Sequence, residues 1–131
     1  MSTGETTGGA GGGSLRIVNY GMGRDRVVQL VRASGRDGMT VEAVSDYQAA
    51  TRLKAGQADV AIGVCQSGAG GALAIPRALL GAECCAQLST PSRKPTEEEI
   101  RAAVAEGKTV FGFALAHVDS AVPILVDALA C

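Results

Sequence analysis

Few side chains in this sequence are equipped for acid-base or nucleophilic chemistry, and most of those fall beside glycines. Cys65 opens the run Cys65-Gln66-Ser67-Gly68-Ala69-Gly70-Gly71. It ends an apolar stretch and precedes a helix start, where thiolate is favoured and a thiol can serve as general base or nucleophile. The same place equally suits a small apolar residue filling the end of a strand, since Cys is among the most buried residue types. Ser67 is either a donor to a substrate oxygen or an ordinary turn residue. Gly68, Gly70 and Gly71 let the backbone take positive φ and turn N–H groups outward, a nest for an oxyanion or phosphate, with Gln66 and Ala69 completing the loop. A second, weaker cradle is Asn19-Tyr20-Gly21-Met22-Gly23. His117, the one histidine, stands two residues before Asp119 and is a candidate general acid or base. Alternatively these two open the last helix, with Asp119 as its N-cap. Arg93, next to Lys94, either closes over an anion from a further loop or is a solvated charge.

Named fingerprints fail on inspection. In Gly21-Met22-Gly23-Arg24-Asp25-Arg26 the third glycine of the dinucleotide pattern is an arginine, and the second loop has no lysine for a phosphate-binding Walker motif. Six positions after Cys65 stands Gly71, so the C-x5-R loop of cysteine phosphatases is absent. The cysteines at 65, 84, 85 and 131 form neither a disulfide framework nor a C-x-x-C zinc pair, and no ligand cluster points to a metal or cofactor.

The elements that must position these residues follow from periodicity. Leu15–Asn19 reads as a strand and Arg24–Ser34 as a helix with Val27, Leu30 and Val31 on one side. Met39–Val44 is a second strand, and Ser45 with Gln48 forms a capping box for a helix that Gly56 ends. Ala58–Val64 is almost wholly apolar, as a central parallel strand covered on both faces must be. A helix over Ala72–Leu80 follows, in which Pro76 must sit near the first turn or cause a kink. Glu83–Leu88 is a fourth strand, with Cys84 and Cys85 facing opposite ways; Thr96 and Glu99 cap a helix ended by Gly107. Glu97, Glu98 and Glu99 need no role beyond that helix start. Thr109–Ala114 and Asp119–Ala130 supply the last strand and helix.

Five strand-helix units joined by short loops imply an open parallel sheet with helices on both faces, because each crossover is right-handed. The expected class is three-layer α/β, Rossmann-like or flavodoxin-like, with strand order 2-1-3-4-5. Ligands of such sheets bind where the loops after strands one and three diverge, which is where both glycine cradles fall. Residues 1–14 read as a flexible, glycine-rich tail and 15–131 as a single domain. The 47% hydrophobic content is enough for one core in 131 residues. A net charge of -1 and 3% aromatic residues argue against a nucleic-acid surface, which needs basic faces and stacking platforms. No apolar run reaches the roughly 20 residues that span a bilayer. With no targeting pattern at the start, a cytoplasmic location without membrane or nucleic-acid partners is expected.

From Leu15 to Leu129 the chain resembles the YhfU-like bacterial proteins, a family of unknown function. The resemblance rests on Tyr20-Gly21, on Gly63-Val64-Cys65-Gln66-Ser67-Gly68-Ala69-Gly70-Gly71-Ala72-Leu73, and on Phe111-Gly112-Phe113; Pro76 departs from the more regular helix expected there. It implies small-molecule metabolism, since family members accompany pyridoxal-phosphate, racemase-like and phosphotriesterase-like enzymes and a transporter. More distantly, Cys65 to Gly70 is similar to the C-G-T-G-x-G loop of ribose-5-phosphate isomerase B. That similarity implies Cys65 as the proton-transferring base and Ser67, Gly68 and Gly70 as the cradle. Asn19-Tyr20-Gly21-Met22 stands where those isomerases carry D-H-A-G, so the residues that position and open the sugar are missing. The expectation is a protein binding a small anionic, phosphorylated metabolite, with Cys65, Ser67 and His117 as its reactive groups and Arg93 as a further ligand contact. The alternative is a noncatalytic accessory or regulatory subunit of a metabolic enzyme or transporter. A homo-oligomer is expected too, because those isomerases complete their sites from a neighbouring subunit and an open sheet leaves two edges.

Overall fold

The computed structural model describes residues 14–34, 37–66 and 71–130. The expected tail before Ser14 and the cradle residues Ser67, Gly68, Ala69 and Gly70 lie outside them. The strands are β1 (Leu15–Gly21), β2 (Met39–Ala43), β3 (Val60–Cys65), β4 (Cys85–Gln87) and β5 (Val110–Ala114). The helices are α1 (Arg24–Ala33), α2 (Asp46–Lys54), α3 (Ala74–Leu80), α4 (Glu97–Ala105) and α5 (Val118–Ala130). All four strand pairings are parallel.

The sheet order is β2-β1-β3-β5-β4, which corrects the expected 2-1-3-4-5 at its last two places. The reason lies in the strands themselves. All five residues of β5, Val-Phe-Gly-Phe-Ala, are buried, so it needs a neighbour on each side. β4 has three residues, ends in exposed Gln87 and suits an edge. The chain therefore passes over the β5 position through α3 and returns through α4. Cys65 consequently lies opposite Ala114 of β5.

Local signals hold at the caps of α2 and α4, where Ser45–Gln48 and Thr96–Glu99 both form reciprocal capping boxes. Pro76 is the third residue of α3, where a missing N–H costs little. Asp119 is not an N-cap: α5 already begins at Val118, and the Asp119 carboxylate accepts from Arg26 Nε of α1 at 2.8 Å. Pro123 lies inside α5, a position the periodicity alone does not reveal. After β3 the chain makes a 3-10 turn, Gly71–Leu73, before α3, so the regular helix starts later than Ala72. Cys84 ends another 3-10 turn, and Cys85 alone is in β4.

Alternation along the strands builds two cores. One gathers Ile17, Ile62, Val64, Phe111 and Phe113 with residues of α1, α4 and α5; the other gathers Val18, Tyr20, Ala61, Val110 and Leu73 on the α2–α3 side. Within the second, Tyr20, Gly63 and Gly112 are successive partners across β1, β3 and β5. A Cβ on Gly63 would come 2.4 Å from Tyr20 Cζ, and one on Gly112 would press on Leu73 at 3.2 Å. The glycines are thus the beds on which Tyr20 and Leu73 lie. Among the described residues, no helix is long and apolar enough to cross a membrane.

Candidate functional site: a pocket where β1 and β3 diverge

The chain leaves β1 towards the α1 face and leaves β3 towards the α3 face, and a crevice opens between the two exits. A cavity of about 450 Å³ occupies it. Tyr20, Gly21, Val64 and Cys65 at the strand ends form its floor. Met22 and Arg24 come from the β1–α1 turn, Val44, Ser45 and Asp46 from the β2–α2 turn, and Ala72 from the 3-10 turn after β3.

The β1–α1 turn is clamped. Gly21 has φ 92°, and a Cβ there would stand 2.1 Å from the Val64 carbonyl oxygen, so only glycine fits. Met22 N donates to that same oxygen at 2.9 Å. Asn19, 1% exposed, lies in β1 below the turn; its Nδ2 donates to the Arg24 carbonyl at 3.1 Å, and its Oδ1 is buried without a hydrogen-bond partner among the described residues. Asn19 therefore holds the start of α1 from beneath and does not line the cavity.

Tyr20 is placed differently from the expected loop contact, because β1 continues through Gly21 and carries the ring into the core. At 2% exposure its hydroxyl donates to the Ala72 carbonyl, tying the far wall of the cavity to β1. Burial, reinforced by Cys85, Asp46 and Cys65, pushes the phenol well above its ordinary range, so it stays protonated.

Two charges face the cavity. Arg24 is the first residue of α1, exposed, and makes no ion pair with any described residue. Gly23, the N-cap at φ 65°, offers no side chain to the first N–H groups of α1. A cation at a helix N-terminus works against the dipole, so Arg24 and the uncapped amides add their positive potential at one spot. Asp46 opens α2 across the cavity; its Oδ1 accepts from Tyr47 N at 2.7 Å, and it too makes no ion pair with a described residue. Cys65 is half-buried at the end of β3.

The cavity thus brings together Tyr20, Gly21, Met22 and Cys65 of the expected residues. Gly23 immediately precedes α1 beside them without a side chain to cap it and Gln66 is exposed just past β3, while Gly71 begins the 3-10 turn. His117 and Arg93 are not brought in. His117 follows β5 in a 3-10 turn; its Nδ1 is buried without a hydrogen-bond partner among the described residues, and its carbonyl accepts from the Ser120 hydroxyl at 3.2 Å. Arg93 follows the edge strand β4, its guanidinium is paired with Glu99, and its backbone pairs with Thr90. The strand order is the cause, since β5 and β4 lie on the side of β3 away from β1. Arg24, Val44, Ser45, Asp46, Val64 and Ala72 were missed by reasoning from the glycines. The signal for them was available: β2 beside β1 forces the β2–α2 turn to border the crevice. No three or more His, Cys, Asp or Glu side chains among the described residues are placed to hold a metal ion.

Residues 15–129 match the sequence family described as protein of unknown function DUF2620. The uncharacterized protein YhfU of Escherichia coli strain K12 is 35% identical over 109 residues, covering 83% of this chain and 93% of that protein, and YhfU of Shigella flexneri matches equally. No solved structure matches the chain significantly. The signature residues fall where the fold needs them, Tyr20 on Gly63, Leu73 on Gly112 and Gly21 against Val64, and the chain belongs to the YhfU-like DUF2620 family.

Proposed function

We propose that this protein binds a small anionic, phosphorylated metabolite between the Tyr20–Gly23 and Cys65–Gly71 loops. The observation that carries the reading is Arg24, in no ion pair with a described residue, at the start of α1 that has no side-chain cap, on the rim of a cavity of about 450 Å³. The clamped turn beneath it keeps donors in place before a ligand arrives, which reduces the ordering cost of binding. Gly68 and Gly70 would add backbone N–H groups from the opposite loop.

Isomerase-like proton transfer by Cys65 is the sharper form of the proposal. The likeness to the ribose-5-phosphate isomerase B loop supports it, as does the position of Cys65 on the cavity floor. His117 stands outside the cavity, so the acid-base inventory there is thin. A Cys65→Ser variant that keeps full turnover of an identified substrate would remove this form and leave binding intact.

The accessory-subunit reading is favoured by a different feature. Met22, Tyr47, Ile75 and Leu115 are the large apolar side chains left exposed among the described residues; all four follow the carboxyl ends of strands, and Met22 lines the cavity. Such a rim suits a partner protein as well as a ligand. A thermal-shift screen against inorganic phosphate, phosphosugars, nucleotides and pyridoxal phosphate separates the two. Ligand at 100 times its Kd adds about 2.7 kcal/mol, a shift of several degrees. A shift that Arg24→Gln abolishes supports binding; a flat response to every class refutes it and leaves the partner reading.

A further inference from the structure

The two charges of the cavity define more than an anion. A site built only for phosphate gains nothing from a carboxylate on its wall, yet Asp46 lines this one with Arg24. They come from different turns, do not pair with each other, and are paired with no other described side chain. Asp46 is not needed as a cap either, because Ser45 and Gln48 already close the start of α2 with their own hydrogen bonds at 3.0 and 3.1 Å. Between the charges the surface is carbon: Met22, Val44, Val64 and Ala72.

Resting on the anion reading above, we propose that the ligand also bears a protonated amine, with its anionic group at Arg24 and the α1 amides, its ammonium at Asp46, and a short carbon chain over the apolar wall. The chemical class is an amino-bearing phosphate or carboxylate. An ammonium at Asp46 removes the repulsion that a purely anionic ligand meets there, so the pocket discriminates by charge pattern as well as by net charge.

The test uses two probes that differ only in the amine, phosphoethanolamine and ethyl phosphate, titrated calorimetrically into the full chain. The wild type should bind phosphoethanolamine at least 10-fold more tightly, a conservative expectation for one charge-assisted contact. Asp46→Asn, which keeps the capping box, should close that gap by weakening phosphoethanolamine alone, and Arg24→Gln should weaken both probes. Equal affinity in the wild type, or a gap that survives Asp46→Asn, overturns the amine inference while leaving anion binding in place. If neither probe binds, the anion reading fails and this inference with it. Unchanged thermal unfolding of both variants separates lost contacts from lost fold.

Discussion

Gly63→Ala should be a costly single-methyl change at the centre of the sheet. Its Cβ would meet Tyr20 Cζ at 2.4 Å, the hydroxyl oxygen at 2.5 Å and Cε2 at 2.7 Å. Carbon atoms pack at about 3.5–4 Å, so the ring must retreat by about 1 Å or more. Tyr20 is 2% exposed and held by its bond to Ala72, which leaves no direction in which to move without breaking that bond. Overpacking of this kind costs about 1–3 kcal/mol and the lost hydrogen bond about 1 kcal/mol, offset by about 0.5 kcal/mol because alanine is the stiffer residue in the unfolded chain. The net is roughly 2–3 kcal/mol, or a fall in Tm of roughly 8–15 °C for a domain of this size. Tyr20→Leu is destabilising alone by leaving a cavity, but in Tyr20→Leu/Gly63→Ala the new methyl enters that space. A double-mutant cycle by urea unfolding should therefore return a favourable coupling of about 1 kcal/mol or more. Additive effects, or a Gly63→Ala Tm within about 2 °C of wild type, would refute the packing argument.

Tyr20 also sets an alkaline limit. Its phenol is raised above the ordinary value of about 10, so its stabilisation is complete below that pH and is lost as pH rises towards the folded value. Tyr20→Phe should be less stable at pH 8 yet lose stability more slowly above pH 10; parallel curves would contradict this. Ser89, 2% exposed, receives the Ala114 N–H at 2.8 Å at the end of β5, and Ser89→Ala should cost about 1–3 kcal/mol by leaving that donor buried and unmet; a loss below about 0.5 kcal/mol in chemical unfolding would mean water replaces it. Asp59 accepts from both Arg16 Nε and Arg16 N, and the side-chain bond holds its carboxyl below the usual range. The stability gap between wild type and Asp59→Asn should be present at pH 7 and close as pH falls through about 4 and below, whereas a gap unchanged with pH would exclude the ion pair as its source. In light scattering, the two sheet edges at β2 and β4 should lead to a mass above one chain, and 13.2 kDa at micromolar concentration would rule out an oligomer.

Much of the architecture was legible because its local signals are self-contained. Capping boxes at Ser45 and Thr96 and the unbroken apolar run of β3 each announce one element without help from the rest of the chain. Strand order is not local in this sense. It depended on noticing that β5 is buried throughout while β4 ends in exposed Gln87, a comparison between strands that periodicity within each one does not make. The crevice stays between β1 and β3, but with β4 at the edge Arg93 follows a strand two places from β3 and is tied to Glu99. Gly63 carries no role in the sequence beyond the family motif, and only the neighbouring strand shows that it seats the Tyr20 ring. Asp46 was hidden for the opposite reason: an acidic residue at a helix start explains itself by the dipole, and only its place on the cavity wall gives it a second role.

The central claim is that an anion binds at the start of α1, and the direct measurement is a two-dimensional amide NMR titration with inorganic phosphate, repeated on Arg24→Gln. Saturable shifts at millimolar phosphate confined to Gly21–Arg26, Asp46 and Cys65–Gly71, and strongly weakened in the variant, are the expected result. Shifts that never saturate, that gather away from the cavity, or that persist unchanged in Arg24→Gln would contradict it.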